Sequence, residues 1–337
     1  MKTLVTGASG FIAQQLILDL LAAGHDVRGT VRDLARGEAL KRTLANHSDR
    51  ADALELVEAD LEGDAGWDAA VEGVDVIHHV ASPFPLGTPK DPMELIRPAR
   101  EGALRVLGAT KAAGVERVIL TSSFAAIGYG RRGPLGGPFT EADWTDPEVT
   151  EDCPAYQQSK TLAERAAWDF AEREGLALSV INPVAVFGPI RSAQVKTSVG
   201  IIAQLLEGKF ALVPDAGLQV VDVRDVSAAH VAAMDAPEAV GERYIVADDY
   251  YDLLALADVL REAFPQYASK LPTRRMPDFV VRLLALLSAD MKTIAKEVGR
   301  RREGRSDKVR ALLGRDLIPA QDAIVASGET LIRYGAI

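Results

Sequence analysis

The chain has 337 residues, of which 48% are hydrophobic and 26% are charged, and its formal net charge is −10. The length exceeds the roughly 250–300 residues at which a single core stops growing, so we expect more than one core in a globular protein of ordinary composition. The acidic balance argues against a nucleic-acid partner, because phosphate backbones are bound by basic surfaces.

Short apolar runs rich in β-branched residues alternate with helical patterns along the first half of the chain. Runs of this kind, without polar alternation, are typical of strands buried on both faces of a parallel sheet. They occupy residues 3–6, 27–31, 54–57, 74–78, 117–121 and 177–181, and the clearest helical patterns between them occupy 11–22, 93–113 and 156–173. The alternation predicts an α/β fold, a Rossmann doubly wound parallel sheet.

Beyond residue 183 the alternation fades, although strand-like runs at 219–223 and 243–246 are expected to rejoin the sheet. The chain is therefore expected to form a dinucleotide-binding Rossmann domain and a smaller, mainly helical C-terminal lobe that binds the substrate. The first comprises residues 1–183 plus about 218–248, and the second comprises about 184–217 plus 249–337.

Two loops rich in glycine and proline lie at residues 81–92 and 128–138. Both follow predicted strand ends, and ligands of open α/β sheets bind beyond the carboxyl ends of the strands. We therefore expect both loops to form walls of an active site. The basic run at 299–305 is expected to be a solvated helix end, because it is a single short run on an acidic protein.

The first predicted strand runs into a glycine-rich turn, residues 6–13 (TGASGFIA), and then into a helix. Gly7 allows a sharp turn, Gly10 lets the backbone approach a pyrophosphate closely, and the small Ala13 lets the helix pack on the strand. The helix N-terminus adds free N–H groups and a partial positive charge. This context predicts a dinucleotide site.

The end of the second predicted strand, Val31-Arg32-Asp33, indicates which dinucleotide binds. An arginine at this position accommodates the 2′-phosphate of NADP, whereas an acidic residue would bind the ribose 2′-hydroxyl of NAD. Arg32 can stack on the adenine and fork onto a phosphate, and it therefore predicts NADP(H). The alternative is that Arg32 is a solvated strand end and that Asp33 binds the ribose of NAD.

Tyr156 and Lys160 lie four residues apart at the start of a predicted helix, so both project from one helical face. A neighbouring cation lowers the pKa of a phenol, which lets Tyr156 act as a general acid or base toward a carbonyl or an alcohol. Ser123 follows a strong predicted strand, and its hydroxyl can hydrogen-bond the substrate oxygen as charge develops there. Ser123, Tyr156 and Lys160 are the predicted catalytic residues.

These motifs, in this order, resemble those of an extended short-chain dehydrogenase/reductase. Within that family the chain is similar to the group of dihydroflavonol, anthocyanidin and cinnamoyl-CoA reductases and their microbial aldehyde and ketone reductases. The resemblance covers about the first 230 residues, and the C-terminal part is only loosely similar. The matching segments are 6–13, 30–33, 59–61, 79–84, 121–123, 156–160, 182–189 and 221–226.

The resemblance implies an oxidoreductase in which Ser123 holds the carbonyl oxygen and Tyr156 protonates it. Lys160 would lower the pKa of the tyrosine and bind the nicotinamide ribose, and Arg32 would bind the 2′-phosphate. The other cofactor-binding residues would be Gly7, Ser9, Gly10, Phe11 and Ile12 in the phosphate loop, Asp60 and Leu61 at the adenine, and Ala81, Ser82, Pro183 and Val186 near the nicotinamide. The helix at 93–113 lacks the asparagine with which some relatives hold a proton-relay water.

The remaining candidates for chemistry are discounted. The single cysteine, Cys153, excludes a disulfide within the chain and is expected to have a packing or surface role. His78 and His79 are adjacent on a strand and point to opposite faces, so no metal site is expected. Neither a signal peptide nor a membrane span is recognisable, and a cytoplasmic location is expected.

The sequence thus predicts an NADPH-dependent reductase of a small hydrophobic or aromatic aldehyde or ketone. Its pocket would have Phe84, Phe124, Tyr129 and Phe187 as walls. Three alternatives remain: a sugar-nucleotide epimerase or dehydratase that retains NAD, a steroid-type hydroxy dehydrogenase, and a nicotinamide-sensing regulator without activity. The protein is expected to be a monomer or a homodimer.

Overall fold

The computed structural model describes residues 1–83, 89, 91–133, 136–193 and 198–337. Within these residues the strands form two sheets. They are β1 (Lys2–Val5), β2 (Asp26–Val31), β3 (Glu55–Glu58), β4 (Val76–His79), β5 (Arg117–Thr121), β6 (Ala177–Pro183), β7 (Ala185–Phe187), β8 (Gly217–Asp222), β9 (Arg243–Val246) and β10 (Tyr250–Asp252). The larger sheet has seven strands in the order β3-β2-β1-β4-β5-β6-β9, and every neighbouring pair is parallel.

Helices cover both faces of the larger sheet. The helices within the described residues are α1 (Phe11–Ala22), α2 (Leu34–Ala45), α3 (Trp67–Val71), α4 (Met93–Ala112), α5 (Ala155–Glu174), α6 (Gly200–Leu206), α7 (Val223–Asp235), α8 (Leu253–Ala263), α9 (Asp278–Leu284), α10 (Ala289–Glu297), α11 (Asp307–Leu313) and α12 (Ala320–Arg333). One buried cluster joins the sheet to α1, α2 and α7, and another joins it to α3, α4 and α5. The predicted Rossmann doubly wound fold is confirmed. No helix within the described ranges combines the length and the apolar character needed to cross a bilayer.

The strand order reverses at β1, which has β2 on one side and β4 on the other. In open α/β sheets the crevice beyond the carboxyl ends at such a point binds the ligand. The segments that leave β1 and β4 meet there, because the backbone N–H of Ala81 donates to Thr6 Oγ1 at 2.9 Å. A Cβ atom added at Gly7 would lie 2.9 Å from Ala81 Cβ. The glycine-rich turn and the start of the 81–92 loop are therefore adjacent.

The second sheet corrects one strand prediction. The run at 243–246 forms β9 and joins β6 as expected, but the run at 219–223 contributes to β8, which lies between β7 and β10 in a three-stranded sheet. The edge of the main sheet beyond β6 is occupied by β9, so β8 pairs with the strand that follows β6 in the chain. The division of the chain into two lobes stays a prediction.

The basic run at 299–305 follows the end of α10, and Arg301 and Arg305 are exposed there as expected, but the prediction is wrong for Arg302. The Arg302 side chain is only 5% exposed and forms an ion pair with Asp152. Its guanidinium also donates to the carbonyl oxygen of Gly128 at 2.8 Å and lies 4.3 Å from the centre of the Tyr129 ring. Because these partners lie far away in the sequence, local charge patterning carried no sign of them.

Candidate active site

The glycine-rich turn places an uncapped helix start at the switch point. Gly7 has a positive φ of 67°, and its N–H donates to Thr30 Oγ1 at 2.9 Å. Gly10 precedes α1 without any side-chain cap, and both Ser9 and Gly10 are exposed. The N–H groups of the first turn of a helix have no partner within the helix and attract anions.

The residues around this turn fit a dinucleotide. Side chains larger than hydrogen have no room at Gly7, where Ala81 approaches closely, and Ala13 is fully buried beneath the first turn of α1. Phe11 and Ile12 are half-buried and pack against the main core. The helix start is thereby held against the sheet with its N–H groups facing outward, which is the arrangement that a pyrophosphate requires.

Arg32 and Asp33 follow β2 and differ in what they contact. The Asp33 carboxylate caps α2 by accepting from Ala35 N–H at 2.9 Å, and it lies 3.6 Å from Arg36. Arg32 is exposed and has no ion-pair partner among the described residues. Asp33 is thus already used by its own helix, whereas the guanidinium of Arg32 is available to a ligand.

Asp60 and Leu61 follow β3 on the same side of the sheet. Asp60 is exposed, and its carboxylate accepts from the N–H of Glu62 at 3.1 Å. Leu61 packs against α4, where a Cβ atom added at Gly102 would lie 3.0 Å from Leu61 Cβ. The backbone is thereby held in place beside the expected adenine position.

The structure brings Ser123, Tyr156 and Lys160 together. Ser123 follows β5 and caps a short 3₁₀ turn, with its Oγ accepting from Ala125 N–H at 3.1 Å. The phenol of Tyr156 is hydrogen-bonded to the Ser123 side chain. Lys160 lies one turn further along α5, and its Nζ is 5.9 Å from the centre of the Tyr156 ring.

Burial dominates the electrostatics of this trio. The pKa of Tyr156 is raised by burial, which the hydrogen bond from Ser123 opposes only in part. The expected lowering of this pKa by Lys160 is therefore not what the structure gives, because loss of water disfavours the phenolate. Burial also lowers the pKa of Lys160 to about 8, although the charge of Glu164 opposes this shift.

Pro183 and Val186 lie behind the trio. Pro183 ends β6 and pairs with Val246, and Val186 is buried in the core that also contains α1. Next to them Asn182 donates through Nδ2 to the carbonyl oxygen of Ser123 at 3.2 Å, which ties the ends of β5 and β6 together. The predicted contacts of Pro183 and Val186 with nicotinamide stay predictions.

The aromatic walls expected for the pocket are mostly core residues. Phe187 is fully buried, and Phe124 packs edge-on against Phe139 with ring centres 5.8 Å apart. Tyr129 is hydrogen-bonded to Gln157, which follows Tyr156 in the chain. Phe84 lies outside the described residues. Apolar character alone did not separate core aromatics from pocket aromatics.

Two discounted candidates have the positions expected of structural residues. Cys153 is buried, and burial raises its pKa to about 12, which leaves the thiol unreactive. His78 meets His230 of α7 at 3.4 Å, whereas the ring of His79 contacts Thr6 Oγ1 at 2.9 Å. The two histidines thus have separate partners.

Sequence reasoning missed a buried polar network behind Lys160. Glu164 accepts hydrogen bonds from Ser122, Asn182 and Arg243. Its position four residues after Lys160 puts it on the same face of α5, which the helical period could have indicated. Arg243 comes from the distant strand β9, and no local pattern predicts that contact.

Known proteins are similar to this chain in both sequence and fold. The model of the NAD dependent epimerase/dehydratase family matches residues 3–247. A putative NADPH-dependent methylglyoxal reductase of Candida albicans is 37% identical, with 80% of this chain and 84% of that protein covered. A cinnamoyl-CoA reductase of Petunia hybrida is 36% identical, with 80% of this chain and 79% of the relative covered.

A solved structure agrees with this relationship. Yeast methylglyoxal/isovaleraldehyde reductase, complexed with NADPH, superposes with a TM-score of 0.80 at 26% identity over 100% of both chains. The resemblance inferred from the motifs is confirmed. The chain belongs to the NAD dependent epimerase/dehydratase family, the extended short-chain dehydrogenases/reductases, and within it to the group of cinnamoyl-CoA, anthocyanidin and methylglyoxal reductases.

Proposed function

We propose that the protein reduces small hydrophobic or aromatic aldehydes and ketones to alcohols, with Tyr156 as the proton donor. The coarser statement, an NADPH-dependent oxidoreductase acting on carbonyl groups, follows from its relatives, which are reductases of this kind. The observation that best supports the finer proposal is the hydrogen bond between Tyr156 and Ser123, with the Lys160 ammonium beside the same ring.

The proposed cofactor contacts follow the edge of the sheet. Arg32 would bind the 2′-phosphate, and Lys160 would hold the nicotinamide ribose. The remaining contacts would be Gly7, Ser9, Gly10, Phe11 and Ile12 at the pyrophosphate, Asp60 and Leu61 at the adenine, and Ala81, Ser82, Pro183 and Val186 near the nicotinamide. The bound nicotinamide supplies the hydride, and the protein supplies orientation and protons.

The residues of the trio would act in sequence on the substrate oxygen. The Ser123 oxygen accepts from Ala125 N–H and its side chain is hydrogen-bonded to Tyr156, so a bound substrate oxygen would take over the Ser123 proton from that contact. Tyr156 is protonated at neutral pH because burial raises its pKa, and it can donate that proton as the carbonyl becomes an alkoxide. The nearby ammonium of Lys160 stabilises the phenolate that remains. Proton transfer of this kind contributes about 10²–10⁴-fold to a rate.

An uncharged substrate suits the ion pairs formed by the loop that follows Ser123. Arg131 is paired with Asp143, and Arg300 and Arg302 are paired with Asp152. Arg302 also pairs with Glu297, so three carboxylates of the protein balance the three arginines. A substrate carboxylate or phosphate would have to compete with those carboxylates, whereas an apolar group would not.

Matched aldehydes test this preference. We expect benzaldehyde to be reduced with a kcat/KM at least about 10-fold higher than 4-carboxybenzaldehyde, because a desolvated charge without a partner costs more than 1.4 kcal/mol. Both rates are measured as NADPH oxidation under identical conditions. Equal rates, or a preference for the carboxylate, would contradict a hydrophobic substrate class.

The choice of cofactor is expected to depend on Arg32. Charge-assisted hydrogen bonds contribute about 1.5–3 kcal/mol, so Arg32→Ala should raise the KM for NADPH by about 10- to 100-fold and leave the KM for NADH nearly unchanged. Arg36→Ala is the matched control, since Arg36 is exposed and pairs with Asp33. Equal losses with both cofactors would show that Arg32 does not contact the 2′-phosphate.

The rate of reduction is expected to fall above about pH 8. Burial lowers the pKa of Lys160 to about 8, so its ammonium loses its proton above that pH while Tyr156 stays protonated. The cation that stabilises the Tyr156 phenolate left after proton transfer is then missing. A profile of kcat/KM from pH 6 to 10 measures this decline, which is the alkaline limb of the profile. A rate that stays constant up to pH 10 would contradict the role of Lys160.

A further inference from the structure

Glu164 is a buried carboxylate one turn beyond Lys160 on α5, and only 1% of its surface is exposed. Its oxygens accept from the Ser122 hydroxyl, from Asn182 Nδ2 at 2.7 Å and from Arg243 Nε at 2.6 Å. Trp168 Nε1 also donates to it at 3.4 Å, so the carboxyl group accepts hydrogen bonds at both oxygens. The carboxyl group also forms an ion pair with the Arg243 guanidinium.

Arg243 is fixed in place behind this carboxylate. Its Nη1 donates to the backbone carbonyl oxygens of Glu141 at 2.9 Å and Asp143 at 2.8 Å, and its guanidinium lies 3.8 Å from the centre of a Trp144 ring. With 7% of its surface exposed, it cannot leave to meet another partner. Glu164 therefore sits between a fixed guanidinium on one side and the Lys160 side chain on the other.

Lys160 and Glu164 line one small cavity at the ends of β4 and β5. Its volume of about 20 Å³ suits a single water molecule, and Ser82, Ser122 and His79 line it as well. The wall that α4 contributes consists of alanines. The side chains of Lys160 and Glu164 thus line the same small space, and the charge of Glu164 acts on the Lys160 ammonium.

The other groups that titrate near Lys160 do not supply a negative charge. Tyr156 stays protonated because burial raises its pKa, and burial with the charge of Lys160 lowers the pKa of His79 to about 3, which keeps it neutral. Arg243 is a cation that lies behind Glu164. Within the described part of the chain, Glu164 is the anion that faces the Lys160 ammonium.

We propose that Glu164 is a positioning residue of the active site, which keeps Lys160 charged and oriented while Arg243 limits how strongly it does so. The proposal rests on the proposed function, because it concerns how the proton-donating apparatus stays in its active form. Burial alone drives Lys160 toward its neutral form, and the negative charge of Glu164 opposes this. Arg243 weakens that effect, since it shares the same carboxylate.

Substitution of Glu164 and substitution of Arg243 are expected to shift the pH profile of the rate in opposite directions. Glu164→Gln keeps the shape and removes the charge, and it should move the alkaline limb of kcat/KM down by about one pH unit, since a nearby opposite charge shifts a pKa by 1–3 units. Arg243→Gln leaves Lys160 as the cation beside Glu164 and should move the limb up. Glu172→Gln, an exposed carboxylate on the same helix, should leave it unchanged.

Unfolding of the protein without cofactor gives a second readout. Because the pKa of Lys160 is lowered in the folded state, the unfolded state binds more protons between about pH 8 and 10.5, and stability gains as pH rises through that window. The gain is measured against Lys160→Met, which lacks it. In Glu164→Gln the gain should begin at a lower pH.

Opposite shifts in the two variants would support the positioning role, as a merely structural role gives no such pattern. Shifts of the same sign, or a limb that stays in place in both, would overturn it. If Glu164→Gln fails to fold, the upward shift in Arg243→Gln decides the question alone. If Tyr156→Phe loses activity while the alkaline limb stays in place in Glu164→Gln and Arg243→Gln, the proposed function remains supported and only this inference is refuted.

Discussion

Replacing Tyr156 with phenylalanine is expected to lower the rate of carbonyl reduction by about 10²–10⁴-fold, the usual contribution of a positioned proton donor. The change removes only the phenolic oxygen, which is hydrogen-bonded to Ser123 at the end of β5. The ring that packs near the Lys160 ammonium is retained, so the fold and the binding of NADPH should be nearly unchanged. Steady-state NADPH oxidation gives the rate, and quenching of protein fluorescence gives the affinity.

Tyr251→Phe is the matched control for this change. Tyr251 lies on β10 in the second sheet and packs against a buried cluster that contains residues of α6, α8 and α12 and none of the trio. We expect the control to keep its activity within about twofold, because conservative substitutions outside a site have small effects. If Tyr156→Phe kept more than a tenth of the wild-type rate, another group would have to supply the proton.

The largest effect on stability is expected from Asp152→Ala. Asp152 is 3% exposed and pairs with Arg302, whose side chain is 5% exposed. Removing one partner of a buried ion pair costs about 3–5 kcal/mol, because the remaining charge is left without compensation. The pair also joins the 299–305 segment to the backbone that follows Ser123, so that segment should become accessible to proteases. Urea unfolding measures the free energy of unfolding directly.

Asp258→Ala provides the control for this loss. Asp258 pairs with Arg261 on the surface, where it is 62% exposed, and such pairs contribute at most about 1 kcal/mol. Acid offers a further check: burial raises the pKa of Asp152, but Arg302 outweighs this and holds it below its ordinary value. The stability from this pair is thus present above about pH 4 and is lost as pH falls further. A loss below 1 kcal/mol in Asp152→Ala would contradict a buried pair.

Local patterns predicted the parts of the molecule that local forces determine. The helix expected at 11–22 is α1, and the helix expected at 93–113 ends one residue earlier as α4. Apolar runs without alternation identified the strands of the main sheet, because both of its faces are covered by helices. The glycine turn and the Tyr156–Lys160 spacing also needed only neighbouring residues to be recognised.

Contacts between distant residues could not be predicted in this way. The run at 219–223 has a strand pattern, but which sheet it joins depends on competition with β9 for the edge of β6. Arg302 looks like part of a solvated basic run until Asp152 is brought next to it by the fold. Phe187 carries the same apolar signal whether it lines a pocket or, as here, a core.

The reaction itself gives the most direct test of the account. We would measure NADPH and NADH oxidation by the purified protein with aromatic aldehydes, α-keto esters and cyclic ketones, and examine a UDP-sugar for epimerisation in parallel. We expect rapid oxidation of NADPH with the hydrophobic carbonyls, a slower reaction with NADH and no change of the sugar. Conversion of the sugar by protein that carries tightly bound NAD, with no carbonyl reduced, would contradict it.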